Sequence, residues 1–299
     1  MIVTVYAMVY HVSCKDIPSP ALSDSYSLNE KIEFLREAKK DVPVLAIGSS
    51  IALNNLHSET VSKRIQGAAF LNASSWGMNM GDNYAMLKAL YDVFHPQTLI
   101  IASSISEFEL PAKKADYDLV QKYITTNDFI ASLYHIRCFN LRYYMDNVKY
   151  KKLVTSTKNQ YEYLVFDKYG GVNIEGEGFI IDQRRWNASF DKEKMDSVNY
   201  NYVDSISSFC KSKNVRLLFF QSPFREGIYS SLNTEKSKEL KEHVGKIASM
   251  LKKNNQVLID SDQVLWNDSL FIDGEHLNSK GAKAFTGYCF DQLNKAAID

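Results

Sequence analysis

The sequence predicts an α/β fold: a three-layer α/β/α sandwich around a central five-stranded parallel sheet. Three observations carry that reading. Five short apolar runs are continuous and not alternating, as expected of strands buried on both faces. Helical stretches separate consecutive runs, which is the pattern of β-α-β units. Polar residues cluster where each run ends, and ligands of such sheets sit beyond the carboxyl ends of the strands.

The first element is a helix over residues 27–40, with Leu28, Ile32 and Leu35 at helical spacing. Ser27 reads as its cap, with Glu30 three residues on. Residues 42–47 (VPVLAI) form the first strand, closed by Gly48-Ser49-Ser50, and residues 51–65 the next helix. A second strand covers 68–73, a helix 80–93, and a third strand 97–103. After a long gap come a helix over 195–212, a fourth strand over 215–221, a helix over 234–253 and a fifth strand over 256–260. The last helix spans 279–296, and Asn278 is placed to cap it.

Residues 109–191 interrupt this rhythm. The segment is rich in tyrosine and phenylalanine, begins helical and ends in a hairpin-like piece over 161–181, with Gly170-Gly171 as its turn. It reads as an insertion packed over the ligand end of the sheet, where loops carry selectivity. Most of its aromatic residues read as core. The organisation is thus an N-terminal apolar segment and linker over 1–26, then an α/β domain over 27–299.

Lys plus Arg number 35 and Asp plus Glu number 35, so the net charge is zero. That leaves no basic stripe for nucleic acid and no bulk electrostatic steering. Cys14, Cys138, Cys210 and Cys289 are scattered without a C-x-x-C pair, which fits neither zinc nor a disulfide framework and reads as buried thiols. No Gly-rich phosphate loop is present, which argues against a nucleotide or redox module. Residues 1–14 are apolar, with no Lys or Arg before Lys15. They fall short of the roughly 20 residues of a spanning helix and lack a basic leader region. They form either a short membrane anchor or a buried strand. The linker-like Pro18 and Pro20 favour the anchor, and with it membrane association and an extracytoplasmic location over a cytoplasmic one.

The stretch Phe271-Ile272-Asp273-Gly274-Glu275-His276-Leu277-Asn278 reads as a loop leading into the last helix. Asp273 precedes His276 by three residues, so a loop that bends back lets the carboxylate orient the imidazole. A nucleophilic serine needs such a histidine as base and a carboxylate to fix its tautomer. Ser50 stands where the first strand gives way to a helix, with helix N-terminal N–H groups near it to hold an oxyanion. Gln221 and Arg225 follow the fourth strand. Arg225 either holds an anionic or sugar group in a pocket or makes a surface ion pair. The remaining histidines have no comparable context.

These motifs resemble the SGNH/GDSL hydrolase superfamily. Gly48-Ser49-Ser50-Ile51 is similar to its first block, G-D-S-L, with Ser49 in place of Asp, which makes Ser50 the nucleophile. Asn72-Ala73-Ser74-Ser75-Trp76-Gly77 is similar to the second block, whose glycine N–H joins the oxyanion hole. That role falls to Gly77, beside the Ser50 N–H. Asp273-Gly274-Glu275-His276 is similar to the fifth block, D-x-x-H. The third block, G-x-N-D, is replaced by Ser103-Ser104-Ile105-Ser106-Glu107, so its oxyanion asparagine is missing. One of these serines or Asn79 is left to substitute. The resemblance implies a serine-dependent esterase or O-acyltransferase that needs no cofactor or metal. The closest likeness, to SGNH-like proteins of bacterial polysaccharide clusters, implies acylated glycans as substrates. The alternative is a weak or inactive relative that binds or assembles glycans.

Overall fold

The apolar runs pair into one parallel sheet in the order β2-β1-β3-β4-β5. Its strands are β1 (Val44–Ala46), β2 (Phe70–Asn72), β3 (Thr98–Ser103), β4 (Arg216–Gln221) and β5 (Val257–Asp260). Val44 lies in register with both Phe70 and Thr98, and Leu218 with Val257. The computed structural model describes residues 18–187, 189–191 and 195–296. The expected anchor over residues 1–14 lies outside them, as does Cys14. No helix among the described residues is long and apolar enough to cross a membrane.

Successive side chains of a strand point to opposite faces, so each strand feeds two cores. Leu45, Leu71, Leu99, Ile101, Leu217 and Phe219 face one layer. It is built from α1 (Tyr26–Glu37), α4 (Met80–Phe94), α9 (Val198–Ser212) and α11 (Thr234–Lys252). Val44, Ala46, Phe70, Ile100, Leu218 and Phe220 face the other. That layer holds α2 (Ser50–Asn55), α3 (Ser58–Arg64) and α12 (Ser279–Ala296). The three-layer sandwich expected from the sequence is therefore present.

Three local expectations differ. The helix expected over 51–65 is two helices, because Leu56 is extended and the His57 ring starts a new one by accepting the Thr60 N–H at 3.2 Å. The first helix begins at Tyr26 with Ser25 at the cap position. Ser27 sits inside its first turn, where its hydroxyl meets Ser75 Oγ at 3.1 Å.

The hairpin expected over 161–181 does not form. Helices α5 (Tyr117–Thr125), α6 (Asp128–Arg137) and α7 (Leu141–Val154) start on the side-chain caps Asp116, Asn127 and Asn140. The chain then runs irregularly to α8 (Gly178–Ile181). Its backbone groups are satisfied elsewhere: Val172 N–H by Leu53 at 3.1 Å, Leu164 N–H by Val154 at 2.7 Å, and Tyr169 C=O by Asn72 at 2.7 Å. Asp167 Oδ1 accepts the N–H groups of Tyr169 at 2.8 Å and Gly171 at 3.0 Å, which closes the turn. Gly170 has φ +89 and approaches Asn72 O too closely for any Cβ. Lys31, wholly buried, donates to Asn72 O at 3.0 Å and to Gly170 O, with its ammonium 3.9 Å from the centre of the Phe166 ring. This cross-link pins the insertion to β2.

Candidate active site

The turn after β1 separates two adjacent serines. A Cβ on Gly48 would lie 2.5 Å from Ala52 Cβ and 3.2 Å from Ala102 O, so only glycine lets the chain turn this tightly against β3. Ser49 is fully buried, and its hydroxyl accepts the Ile51 N–H at 3.1 Å as the cap of α2. Ser50, one residue on, opens into a cavity of about 530 Å³.

The second half of the site comes from the loop between β5 and α12. Phe271 and Leu277 pair across its neck, and the Ile272 N–H donates to His276 O at 2.8 Å. Asp273 Oδ1 accepts the N–H groups of Glu275 at 2.9 Å and His276 at 2.7 Å. Its other oxygen lies 2.8 Å from His276 Nδ1, and His276 Nε2 lies 2.8 Å from Ser50 Oγ. Asn278 accepts the Gly281 N–H at 3.0 Å and caps the last helix. Burial disfavours the imidazolium, yet the adjacent Asp273 carboxylate outweighs it and raises the His276 pKa. Burial likewise opposes ionisation of Asp273, but His276 and two backbone N–H groups hold its pKa below the usual range.

Gly77 and Trp76 border the same cavity, and Gly77 adopts φ +65, a region open to glycine. Asn79 does not take the place of the absent third-block asparagine. Its side chain accepts the Asp82 N–H at 2.9 Å and donates to Leu110 O at 3.1 Å, capping α4. Ser106 does reach the cavity, but its hydroxyl lies 2.6 Å from each carboxylate oxygen of Glu275.

Gln221 and Arg225 are not among the residues that line this cavity. The Arg225 guanidinium is committed to Trp186 O at 2.7 Å, Asn187 Oδ1 at 2.7 Å and Asp268 Oδ2 at 2.8 Å. Gln221 is fully buried at the end of β4. Of the two readings open for Arg225, the geometry takes the ion pair, which braces the loops that carry Trp186, Asn187 and Asp268, and Gln221, the other substrate-binding candidate, lies outside the cavity lining.

Four residues that sequence reasoning did not single out do face the cavity. Tyr161, from the insertion, brings its hydroxyl to 3.3 Å from His276 Nδ1, with its ring edge-on to the imidazole. Arg185 stacks 4.1 Å from the centre of the Tyr161 ring. Glu107 and Glu275 form an acidic wall, and burial raises both carboxyl pKa values, Glu107 well above the usual range. Glu275 carried a local signal inside the D-x-x-H block, and Glu107 carried one at the end of the segment that stands in place of the third block.

Comparison with known proteins gives three results. A family model that carries no descriptive name matches residues 145–297, just over half of the chain, so the chain belongs to that family. No curated protein matches. Solved structures do match in shape. An acetylxylan esterase from Geobacillus stearothermophilus is 11% identical, covering 86% of this chain and 95% of its own at a TM-score of 0.42. A psychrotrophic esterase from Pseudoalteromonas sp. is 12% identical, covering 87% and 100% at 0.40. A GDSL-like lipase from Bacteroides thetaiotaomicron is 11% identical, covering 88% and 95% at 0.38. With five parallel strands in the order β2-β1-β3-β4-β5, Ser50 after the first strand and His276 after the fifth, this chain has the SGNH/GDSL hydrolase fold.

Proposed function

We propose that this protein is a serine-dependent esterase or O-acyltransferase acting on acylated glycans. The observation that carries the reading is the chain of two 2.8 Å contacts from Ser50 Oγ through His276 to Asp273. Neutral His276 takes the Ser50 proton as Oγ attacks the ester carbonyl. Collapse of the tetrahedral intermediate expels the alcohol, which takes that proton from His276, and leaves the acyl group on Ser50. Water or a sugar hydroxyl, deprotonated in turn by His276, attacks the acyl-serine. The acid or a new ester leaves, and Ser50 is restored. Asp273 fixes the tautomer and stabilises the imidazolium. The N–H groups of Ser50 and Gly77 are the proposed oxyanion donors. The glycan preference rests on the likeness of the Gly-Ser-Ser and His-Leu-Asn segments to SGNH-like proteins of polysaccharide clusters.

The test is turnover of p-nitrophenyl acetate and an acetylated xylo-oligosaccharide by wild-type protein and Ser50→Ala. The variant is expected to lose about a thousandfold or more. Equal rates for the two proteins would overturn the reading.

A second reading has one observation in its favour. The third-block asparagine is absent, and the Ser106 hydroxyl near its place is engaged with Glu275. Loss of one oxyanion donor costs about a hundredfold or more in turnover, which suits a fold that holds glycans without processing them. Glycan binding without fluorophosphonate labelling of Ser50 would establish that alternative.

A further inference from the structure

We infer that Glu107 and Glu275 make this site select esters bearing a positively charged group, an ammonium close to the reacting carbonyl. The inference rests on the esterase reading of Ser50 and names its substrate class.

Both carboxyls border the cavity that Ser50 and His276 open into. Glu107 is 2% exposed, and its Oε1 has no hydrogen-bond partner. Its other oxygen accepts the Ser104 N–H at 3.3 Å. Glu275 is held by the Ser106 hydroxyl at 2.6 Å, which lies 2.8 Å from Ser104 Oγ. Among the described residues, hydroxyl and backbone N–H groups are the only hydrogen-bond donors to these two carboxyls, and no lysine or arginine pairs with them. A buried carboxyl without a cation pays a desolvation cost and stays protonated, which is the direction burial drives both groups.

Arg185, which lines the cavity, is turned to other work. Arg185 lies over the Tyr161 ring at 4.1 Å and sits 3.5 Å from Asp182 Oδ2. Glu162 lines the cavity as well. An arriving ammonium supplies the charge partner that Glu107 and Glu275 lack among the described residues. It carries up to three N–H donors, one for the orphaned Glu107 oxygen, and its charge favours ionisation of both acids. Beside the buried Glu107 carboxyl, that attraction exceeds its value at an exposed site.

The experiment compares alanine p-nitrophenyl ester with the propionate ester, which has the same shape without the ammonium. Each kcat/KM is divided by that ester's spontaneous hydrolysis rate. Wild-type protein is expected to favour the alanine ester by about tenfold or more, and Glu107→Gln or Glu275→Gln to bring the ratio towards one. On unaltered protein, ethanolamine is expected to bind more tightly than ethylene glycol by calorimetry. A wild-type ratio near one, a ratio unmoved by both substitutions, or equal binding of the two small molecules overturns the inference. If ethanolamine binding is selective while both esters go unhydrolysed and a fluorophosphonate leaves Ser50 unlabelled, the esterase reading fails and the cation site stands.

Discussion

Asn55 Oδ1 accepts the Leu277 N–H at 2.8 Å, and Asn55 Nδ2 donates to Glu275 O at 2.9 Å and Ser222 Oγ at 2.7 Å. One buried amide thus ties the helix that starts at Ser50 to the loop that carries His276. Asn55→Ala leaves two backbone groups unsatisfied and is expected to lower stability by about 2–3 kcal/mol. Urea denaturation measures this. If the amide also sets the Ser50–His276 distance, kcat of the folded variant falls by about tenfold with KM nearly unchanged. A purely structural role would leave kcat alone.

His276 must be neutral to act as a base, so kcat/KM is expected to rise with pH through its pKa. Burial opposes the charged form, but Asp273 prevails and lifts the pKa. The midpoint of the rise should therefore lie above the ordinary histidine value of about 6.5. Asp273→Asn is expected to move that midpoint down and to lower the plateau by about a thousandfold or more. The stability linked to Asp273 runs in the same direction with pH. Asp273 has a depressed folded pKa, so its contribution is present above its unfolded pKa and is lost as pH falls through the folded one.

Lys31 makes a separate, structural prediction. Burial pushes its pKa well below the usual lysine range. Between the folded and unfolded pKa values the unfolded chain binds more protons, so stability rises with pH in that window. Lys31→Met removes this rise and strips the donor from Asn72 O and Gly170 O. It should destabilise the protein by about 2 kcal/mol near neutrality. Urea midpoints at neutral and alkaline pH should show the gap to wild type widening as pH rises.

Arg225→Ala separates bracing from binding. The side chain is 6% exposed, while its partner Asp268 is 42% exposed, so the ion pair is only half shielded. Loss of the hydrogen bonds to Trp186, Asn187 and Asp268 is expected to lower stability by about 2 kcal/mol. KM for a small ester should stay within about twofold, because the guanidinium does not face the cavity. A large rise in KM at unchanged melting temperature would restore the substrate-binding role.

The sheet was legible because a strand buried on both faces must be apolar where it is covered, and residues 44–46, 99–102 and 217–220 are. Ser50 and His276 were legible because their blocks are local: each chemical role is written within a few residues. The misses are non-local. Nothing near Tyr161 says that its hydroxyl meets an imidazole 115 residues later. Nothing around Lys31 marks it as buried, since its partners are carbonyl groups of β2 and the insertion. The Gly170-Gly171 pair signalled a turn correctly, but not that its flanks would bond to β2 and α2 instead of each other. Arg225 was ambiguous because a cation beyond a strand end suits a ligand and a loop brace equally well.

Ser50 and His276 are separated by 226 residues. During synthesis Ser50 emerges long before His276, so on the proposed mechanism a nascent chain carries an inert alcohol until the sheet has closed around β5. Contacts of such long sequence separation form late and slowly. The protein is thereby silent towards any ester it meets before folding is complete, and reactivity of Ser50 towards a phosphonate becomes a reporter of the final docking of α12.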